Sequence, residues 1–261
     1  MTDDDLLAVL DDAADAVRRA LDGLDDWGLA GTRRGQYFSD LAADEVCLEV
    51  LDAAGLGWLS EESGIAHADR EIVVIVDPVD GSTNASRGIP WYATSLCAVD
   101  ADGPRAALVV NQSSDRRYRA TRDGGATVDG DRLVPAETTE LGRSIVGISG
   151  YPPRYLGWKQ FRALGAVALD LCAVAEGVLD GYIDCSPSAH GSWDYAAGLL
   201  LCAEAGVPVV DAFDRELVVL GHRDRRTPVA GATPALLTEL VAARRTLAWP
   251  DDPVLEAGNS G

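Results

Sequence analysis

Five branched apolar residues in a row, Ile72-Val73-Val74-Ile75-Val76, run straight into Asp77-Pro78-Val79-Asp80-Gly81-Ser82-Thr83-Asn84. The apolar run does not alternate, which is the pattern of a strand covered on both faces. Asp77 is thereby expected at the end of a buried strand. Pro78 fixes its own φ and biases Asp77 toward extended backbone, so a sharp turn is expected just after the first carboxylate, bringing Asp80 round beside it. The carboxylates of Asp77 and Asp80 and the carbonyl of Val79 can then converge on one point, a set of hard oxygen donors suited to Mg²⁺. Gly81 lets the backbone approach a ligand, and the N–H groups of Gly81, Ser82 and Thr83 can face an anion. The same residues also read as ordinary turn formers after a strand, since Asp-Pro and Asp-Gly are both common there.

The rest of the chain reads as layers around this stretch. Leu6, Leu7, Val9, Leu10, Ala13, Val17, Leu21 and Leu24 fall near helical spacing, with Asp3 to Asp5 at the end where negative charge suits the dipole. A second helix runs to Leu51, with Ser39 or Asp40 as its cap. Strands are expected over 92–99, 105–110, 116–121 and 132–134, separated by Asp-Gly and Gly-Gly turns, so the first half is α+β with an antiparallel sheet. A boundary near Leu141 divides the chain into 1–140 and 141–261. Helix and strand alternate in the second half. The spacing predicts a strand over 144–149, a helix opened by residues 162–166 and running through Ala175, and a short strand at 181–183 ending at Asp184. Trp193-Asp194-Tyr195-Ala196-Ala197-Gly198 opens a helix to Glu204, followed by strands at 207–211, 217–220 and 229–230 and a helix over 234–245. His190, alone in the loop before Asp194, reads as exposed, and residues from Pro250 onward read as a frayed tail.

Composition narrows the function classes. The 261 residues are enough for one large domain or two fused halves. The five cysteines are odd in number and spread out, with no C-x-x-C pair, which argues against a disulfide framework or a zinc site and for a reducing cytoplasm. Met1-Thr2-Asp3-Asp4-Asp5 carries the wrong charge for a signal peptide, and no apolar run approaches the roughly 18 residues a membrane span needs. Acidic residues number 42 against 22 basic ones, a net charge of −20, and Lys159 is the only lysine. That balance disfavours nucleic acid as a partner, while 47% hydrophobic residues exclude a disordered acidic chain. The acid is expected to coat a folded body, as in the cytosol of a halophile; an acidic mesophilic protein is the alternative.

The octet Asp77–Asn84 resembles the signature of the inositol monophosphatase family, Asp-Pro-aliphatic-Asp-Gly-Ser/Thr-x-Asn. Two further motifs are similar and in the family's order: Glu61-Glu62, with Glu61 placed 16 residues ahead of Asp77, and the Trp193–Gly198 stretch. The resemblance covers nearly the whole chain and implies an α+β to α/β fold, a five-layer α/β/α/β/α sandwich. It implies a Mg²⁺-dependent phosphomonoesterase for myo-inositol monophosphate, fructose 1,6-bisphosphate or both, with two or three ions per site. Carried over residue by residue, Glu61, Asp77 and the Val79 carbonyl hold one ion, and Asp77, Asp80 and Asp194 a second. Glu61 and Ser82 prepare the attacking water beside Asp80. Gly81, Ser82, Thr83, Asp184, Asp194 and Arg162 contact the substrate, although Arg162 equally reads as a brace between layers. Asp40 stands where many members have an aspartate facing the metals, and equally reads as a helix cap. Where relatives carry a hydroxyl, this chain has Ala166. Arg87, Arg154 and Arg162 are candidates for gripping a second phosphate. The resemblance also implies a homodimer and inhibition by Li⁺. The alternatives are a phosphatase for 3′,5′-bisphosphonucleotides or other small phosphomonoesters, or a non-catalytic member that binds metal or protein. The complete set Glu61, Asp77, Asp80, Ser82 and Asp194 speaks against the last.

Overall fold

A computed structural model describes residues 1–32, 35–186, 190–247 and 249. Two helices lead. In α1 (Asp3–Asp22) the Thr2 hydroxyl accepts the Asp5 N–H at 3.1 Å while the Asp5 carboxylate accepts the Thr2 N–H at 3.1 Å, closing the first turn reciprocally. Leu6, Leu10, Ala13, Val17 and Leu21 form its buried stripe. The next helix, α2 (Phe38–Ala53), buries Ala43, Cys47, Leu48 and Leu51.

Eight strands follow: β1 (Gly57–Ser60), β2 (Gly64–Ala66), β3 (Val73–Asp80), β4 (Ala93–Asp100), β5 (Gly103–Asn111), β6 (Arg116–Thr121), β7 (Gly125–Val128) and β8 (Asp131–Arg132), with the short helix α3 (Ser82–Ser86) between β3 and β4. They form one sheet in the order β2-β1-β3-β4-β5-β6-β7-β8, antiparallel except where β1 meets β3. A second sheet contains β9 (Ile145–Gly150), β10 (Gln160–Arg162), β11 (Gly181–Cys185), β12 (Val209–Asp211) and β13 (Pro228–Gly231) in the order β10-β9-β11-β13-β12. The second half also supplies α4 (Val167–Ala175), α5 (Ser192–Ala205) and α6 (Pro234–Arg245).

Side-chain alternation decides how these pieces stack. Val74, Val76, Leu96, Ala98, Leu108 and Val110 turn one face of the first sheet onto α1 and α2. Ile75, Cys97 and Val109 turn the other face onto α4 and α5, which also meet Tyr182 and Ala230 of the second sheet. On the far side of that sheet, Val146, Ile148, Ile183 and Val229 pack with Leu236 and Leu240 of α6. The result is the five-layer α/β/α/β/α order expected, and all eight residues of β3 are buried at its centre.

Several local expectations are corrected. The central strand does not end at Asp77 but continues to Asp80: Asp77 lies opposite Ser95 and Asp80 opposite Ala93, so three steps on β3 answer two on β4. This is a bulge, where the missing N–H of Pro78 costs no ladder bond. Residues 162–166 do not open the helix; Arg162 instead closes the exposed edge strand β10. Gly165, at φ +89°, breaks the path and α4 starts at Val167. Residues 217–220 are not a strand, because β12 pairs directly with β13 and leaves them as a connection. A strand that went unread, β7, begins at Gly125, at φ +84°. Arg33, Arg34, loop residues 187–189 and the expected tail from Pro250 lie outside the described residues. No helix among the described residues is long and apolar enough to cross a membrane.

Candidate active site

The bulge in β3 sets the site. Asp77 is 1% exposed and its Oδ1 accepts the Val79 N–H at 3.1 Å, a bond within the bulge itself. Behind it, Thr94 donates to the Pro78 carbonyl at 2.9 Å and Gln112 donates to the Thr94 hydroxyl at 2.7 Å, so the distorted backbone is held by buried polar groups. Asp80, also buried, accepts the Ala168 N–H from the first turn of α4 at 2.7 Å. One carboxylate thereby ties the first sheet to the middle helices.

Glu61 follows β1, its N–H donating to the Val76 carbonyl at 3.1 Å, which places it alongside the end of β3. The turn carrying it is braced from α2: buried Asp44 accepts hydroxyl bonds from both Ser60 and Ser63, while Ser60 Oγ accepts the Glu62 N–H at 3.0 Å. Gln36 donates to the Glu62 carboxylate. Asp194 comes from the first turn of α5, where it accepts the Gly191 N–H at 3.1 Å. Gly191 is required there, since a Cβ would collide with the Trp193 indole. From these three segments Glu61, Asp77 and Asp194 each offer a carboxylate oxygen, all within 4.8 Å of one another. Asp80 lies outside that trio of oxygens but near enough to Asp194 to be repelled by it.

Electrostatics distinguish this centre from the surface acids. Burial first, then Glu61, Asp80, Asp194 and Asp40, push the Asp77 carboxyl well above the usual range. Asp80 is raised by burial and then by Asp194, against the Ala168 N–H. Asp40 is raised to about 6, chiefly by burial, while its Oδ2 accepts the Tyr37 N–H at 2.8 Å. It therefore closes the start of α2 from inside the first turn and also faces Ser82 and Glu62. Like charges this close persist only when a proton or a cation neutralises them. An all-carboxylate oxygen set, without sulfur or nitrogen, fits a hard divalent ion.

Beside the carboxylates, Gly81 caps α3 at φ +86°, and a Cβ there would lie 3.0 Å from the Trp91 carbonyl and 3.1 Å from that of Gly165. Asn84 donates to the carbonyls of Trp91 at 2.8 Å and Leu164 at 2.7 Å, clamping the two halves around the loop. Ser82 lines a cleft of about 270 Å³ with Glu61, Asp40 and Trp193, whereas Thr83 is exposed, its hydroxyl 3.2 Å from that of Tyr37.

Other expected residues sit differently. Asp184 is fully buried, its Oδ1 accepting the Ser186 N–H at 2.8 Å and hydroxyl at 2.6 Å, and its Oδ2 has no hydrogen-bond partner among the described residues. Arg162 is exposed and donates within β10, to the Phe161 carbonyl at 2.8 Å and Gln160 Oε1 at 3.0 Å. His190 is not an exposed loop histidine. Its Nδ1 lies 2.9 Å from Asp194 Oδ2, and its Nε2 lies 3.3 Å from the Tyr182 hydroxyl and 3.5 Å from Asp184 Oδ1. Burial alone would lower its pKa, but Asp184 and Asp194 outweigh it and hold the imidazole well above its ordinary value. The sequence reading passed over His222 and Arg225. Asp44, which with Asp40 is the part of the α2 segment resembling the family, lies four residues after it and so on the same helix face. His222, whose Nε2 lies 3.0 Å from the Glu61 carbonyl, had no such signal.

Fold and site together define a metal-dependent phosphatase. The profile of the inositol monophosphatase family matches residues 40–248. The chain is 34% identical over 214 residues to a fructose-1,6-bisphosphatase/inositol-1-monophosphatase of Thermococcus kodakarensis, covering 80% of this chain and 82% of that one. It is 31% identical over 206 residues to a fructose-1,6-bisphosphatase of Pyrococcus furiosus, covering 78% and 81%. Among solved structures it is similar to the extragenic suppressor protein suhB of Bartonella henselae, with a TM-score of 0.78 at 27% identity over 94% of this chain and 100% of that one. The chain belongs to the inositol monophosphatase family.

Proposed function

We propose that the protein is a Mg²⁺-dependent phosphomonoesterase that hydrolyses myo-inositol monophosphate, fructose 1,6-bisphosphate or both by in-line attack of water. The observation that carries this is the meeting of Glu61, Asp77 and Asp194 oxygens within 4.8 Å beside a glycine-started turn. The names of its relatives in Thermococcus and Pyrococcus support the substrate class. Glu61, Asp77 and the Val79 carbonyl would hold one ion and Asp77, Asp80 and Asp194 a second, with Asp40 available to a third. A divalent cation held there neutralises phosphoryl charge and acidifies water. The Glu61 carboxylate takes the proton of the attacking water, and the Ser82 hydroxyl orients that water. The N–H groups of Ser82 and Thr83, in the first turn of α3 and so without helical acceptors, face the phosphoryl oxygens together with that of Gly81. Asp194 accepts from a substrate hydroxyl; Asp184, fully buried, and Arg162, engaged within β10, would reach a substrate only after leaving those positions. Positioning and charge neutralisation are sufficient for phosphoryl transfer, so no covalent enzyme intermediate forms. The chain works as two halves divided near residue 141, as a homodimer, in a salt-rich cytoplasm.

Phosphate release from a panel of sugar and polyol phosphates in molar KCl, with and without Mg²⁺, tests this reading. Mg²⁺-dependent turnover that disappears in Asp77→Asn is expected, with inhibition by Li⁺. No Mg²⁺-dependent release from any substrate would leave a non-catalytic, metal- or protein-binding member of the family.

A further inference from the structure

None of the three arginines that the sequence offers for a second phosphate lines the acidic cleft: Arg87 ends α3 in solvent, Arg154 is exposed, and Arg162 is engaged within β10. The arginine that does line it, among the described residues, is Arg225, which shares the cleft with Asp40, Glu61, Glu62 and Ser82. Two contacts fix its guanidinium. Cζ stands over the Trp193 ring at 5.0 Å from the centroid, and Nη1 donates to the carbonyls of His222 at 3.0 Å and Asp224 at 2.8 Å. Both bonds are made by Nη1. The edge formed by Nε and Nη2, the pair that grips an oxyanion with two parallel bonds, donates to no group among the described residues.

The absence of a carboxylate partner among the described residues is informative in a chain with 42 acids for 22 bases. Arg117 shows the usual arrangement here, held by Asp11, Asp15 and Asp115. Arg225 instead is stacked and anchored before any ligand arrives, which reduces the ordering cost of binding an anion. Its position is also coupled to the reacting centre. Trp193 precedes Asp194 in α5, and the loop carrying Arg225 reaches the Glu61 carbonyl through His222 Nε2 at 3.0 Å.

We propose that Arg225 is a specificity residue that grips a second anionic group of the substrate, so that the cleft favours small doubly phosphorylated sugars or polyols over monophosphates. This rests on the phosphatase reading above. Among the described residues lining the cleft, no other arginine or lysine offsets the negative field that Asp40, Glu61 and Glu62 present to a second phosphate.

The test compares wild type, Arg225→Gln and Arg225→Lys as Mg²⁺-loaded full chains, with kcat and KM measured on fructose 1,6-bisphosphate and on inositol 1-phosphate. The ratio of kcat/KM for the bisphosphate over the monophosphate should fall roughly 10- to 100-fold in Arg225→Gln, the worth of one charge-assisted pair, and mainly through KM. Arg225→Lys, which keeps the charge but loses the fork, should recover part of it. An unchanged ratio in a variant with wild-type circular dichroism and melting overturns the proposal, including the case where both substrates weaken equally because Arg225 merely supports Trp193. Should the wild type turn over neither compound, the phosphatase reading fails separately, and calorimetric titration with fructose 1,6-bisphosphate and fructose 6-phosphate then decides. A loss of affinity in Arg225→Gln confined to the bisphosphate sustains the inference; equal affinities in wild type and variant refute it.

Discussion

A carboxylate inside a protein is neutralised by a proton or by a cation, and Asp77 sits where one of the two is required. With Mg²⁺ as the cation, binding is an exchange, because Asp77 and Asp80 hold protons well above the usual carboxylate range when no ion is present. Their native pKa values exceed the unfolded ones, so the ion-free protein should lose stability as pH rises out of the acid range, while Mg²⁺ affinity should rise over the same span. The melting shift produced by Mg²⁺ should therefore be larger at pH 8 than at pH 6, and calorimetry in buffers of different ionisation heat should register proton release. Asp77→Asn keeps the acceptor for the Val79 N–H but removes the charge; turnover should fall more than about a hundredfold while the fold survives. Asp170 is a separate titrating group. It is fully buried, its Oδ1 accepts the Trp91 indole N–H at 2.9 Å, and its Oδ2 has no hydrogen-bond partner among the described residues. Burial raises it from 3.8 to about 7, against the Trp91 bond and His190. The native state thus holds a proton that the unfolded chain has lost between about pH 4 and 7, so this group weakens the fold as pH climbs through that window. Asp170→Asn, measured in saturating Mg²⁺ so that the other buried acids stay ionised, should flatten the decline. An unaltered slope of melting temperature against pH would show that Asp170 does not carry it.

Between elements, the site depends on a few polar ties that cross layers. Asn84 of α3 bonds the Leu164 carbonyl, Asp80 of β3 bonds the first turn of α4, and Asp44 of α2 holds the turn that presents Glu61. Asn84→Ala leaves two carbonyls without their donor and should cost about 2–4 kcal/mol in denaturant melts, with a raised KM because the Gly81 loop loses its clamp. Gly81→Ala should be comparably damaging, since both its positive φ and the nearby Trp91 and Gly165 carbonyls resist a side chain. These ties also explain what could be read in advance. Apolar period and cap chemistry report burial along one segment, which is why β6 and α6 fall at the residues expected and why the run before Asp77 was legible as a covered strand. The three carboxylate motifs were legible as motifs. Segments whose fate is decided by a neighbour were not: residues 160–162 became an edge strand because β9 offered a parallel partner, and 217–220 lost a ladder to β13. His190, Asp170 and Arg225 were illegible for the same reason. Trp91 faces Asp170 and Trp193 faces Arg225 from distant segments, while Asp184 and Asp194 stand on β11 and α5, and nothing in the local sequence around a lone histidine, a helical aspartate or a basic loop announces which carboxylate or ring will face it.

For the molecule as a whole, the dominant force outside the core is self-repulsion. A net charge of −20 surrounds three apolar clusters that would be adequate for an ordinary domain, and only some acids are paired, as around Arg117. Screening shortens from about 10 Å at 0.1 M salt to about 3 Å at 1 M, so raising KCl removes repulsion between acids that do not touch while leaving buried pairs nearly unaffected. Melting temperature should accordingly climb by about 10 °C between 0.1 and 2 M KCl, which at roughly 2–4 °C per kcal/mol for a chain of this size means a few kcal/mol. A salt effect of that size has a second possible origin, specific binding of K⁺ to carboxylate clusters, and the two separate on mutation. Asp12, Glu45 and Glu49 are exposed on α1 and α2 and have no ion-pair partner among the described residues. If diffuse repulsion is the driver, the triple variant Asp12→Asn, Glu45→Gln, Glu49→Gln should melt higher than wild type at 0.1 M KCl, and the two curves should converge at 2 M. Site-bound K⁺ predicts the reverse, a variant that is no better at low salt and worse at high salt, because the neutralised side chains were the ones recruiting the ion.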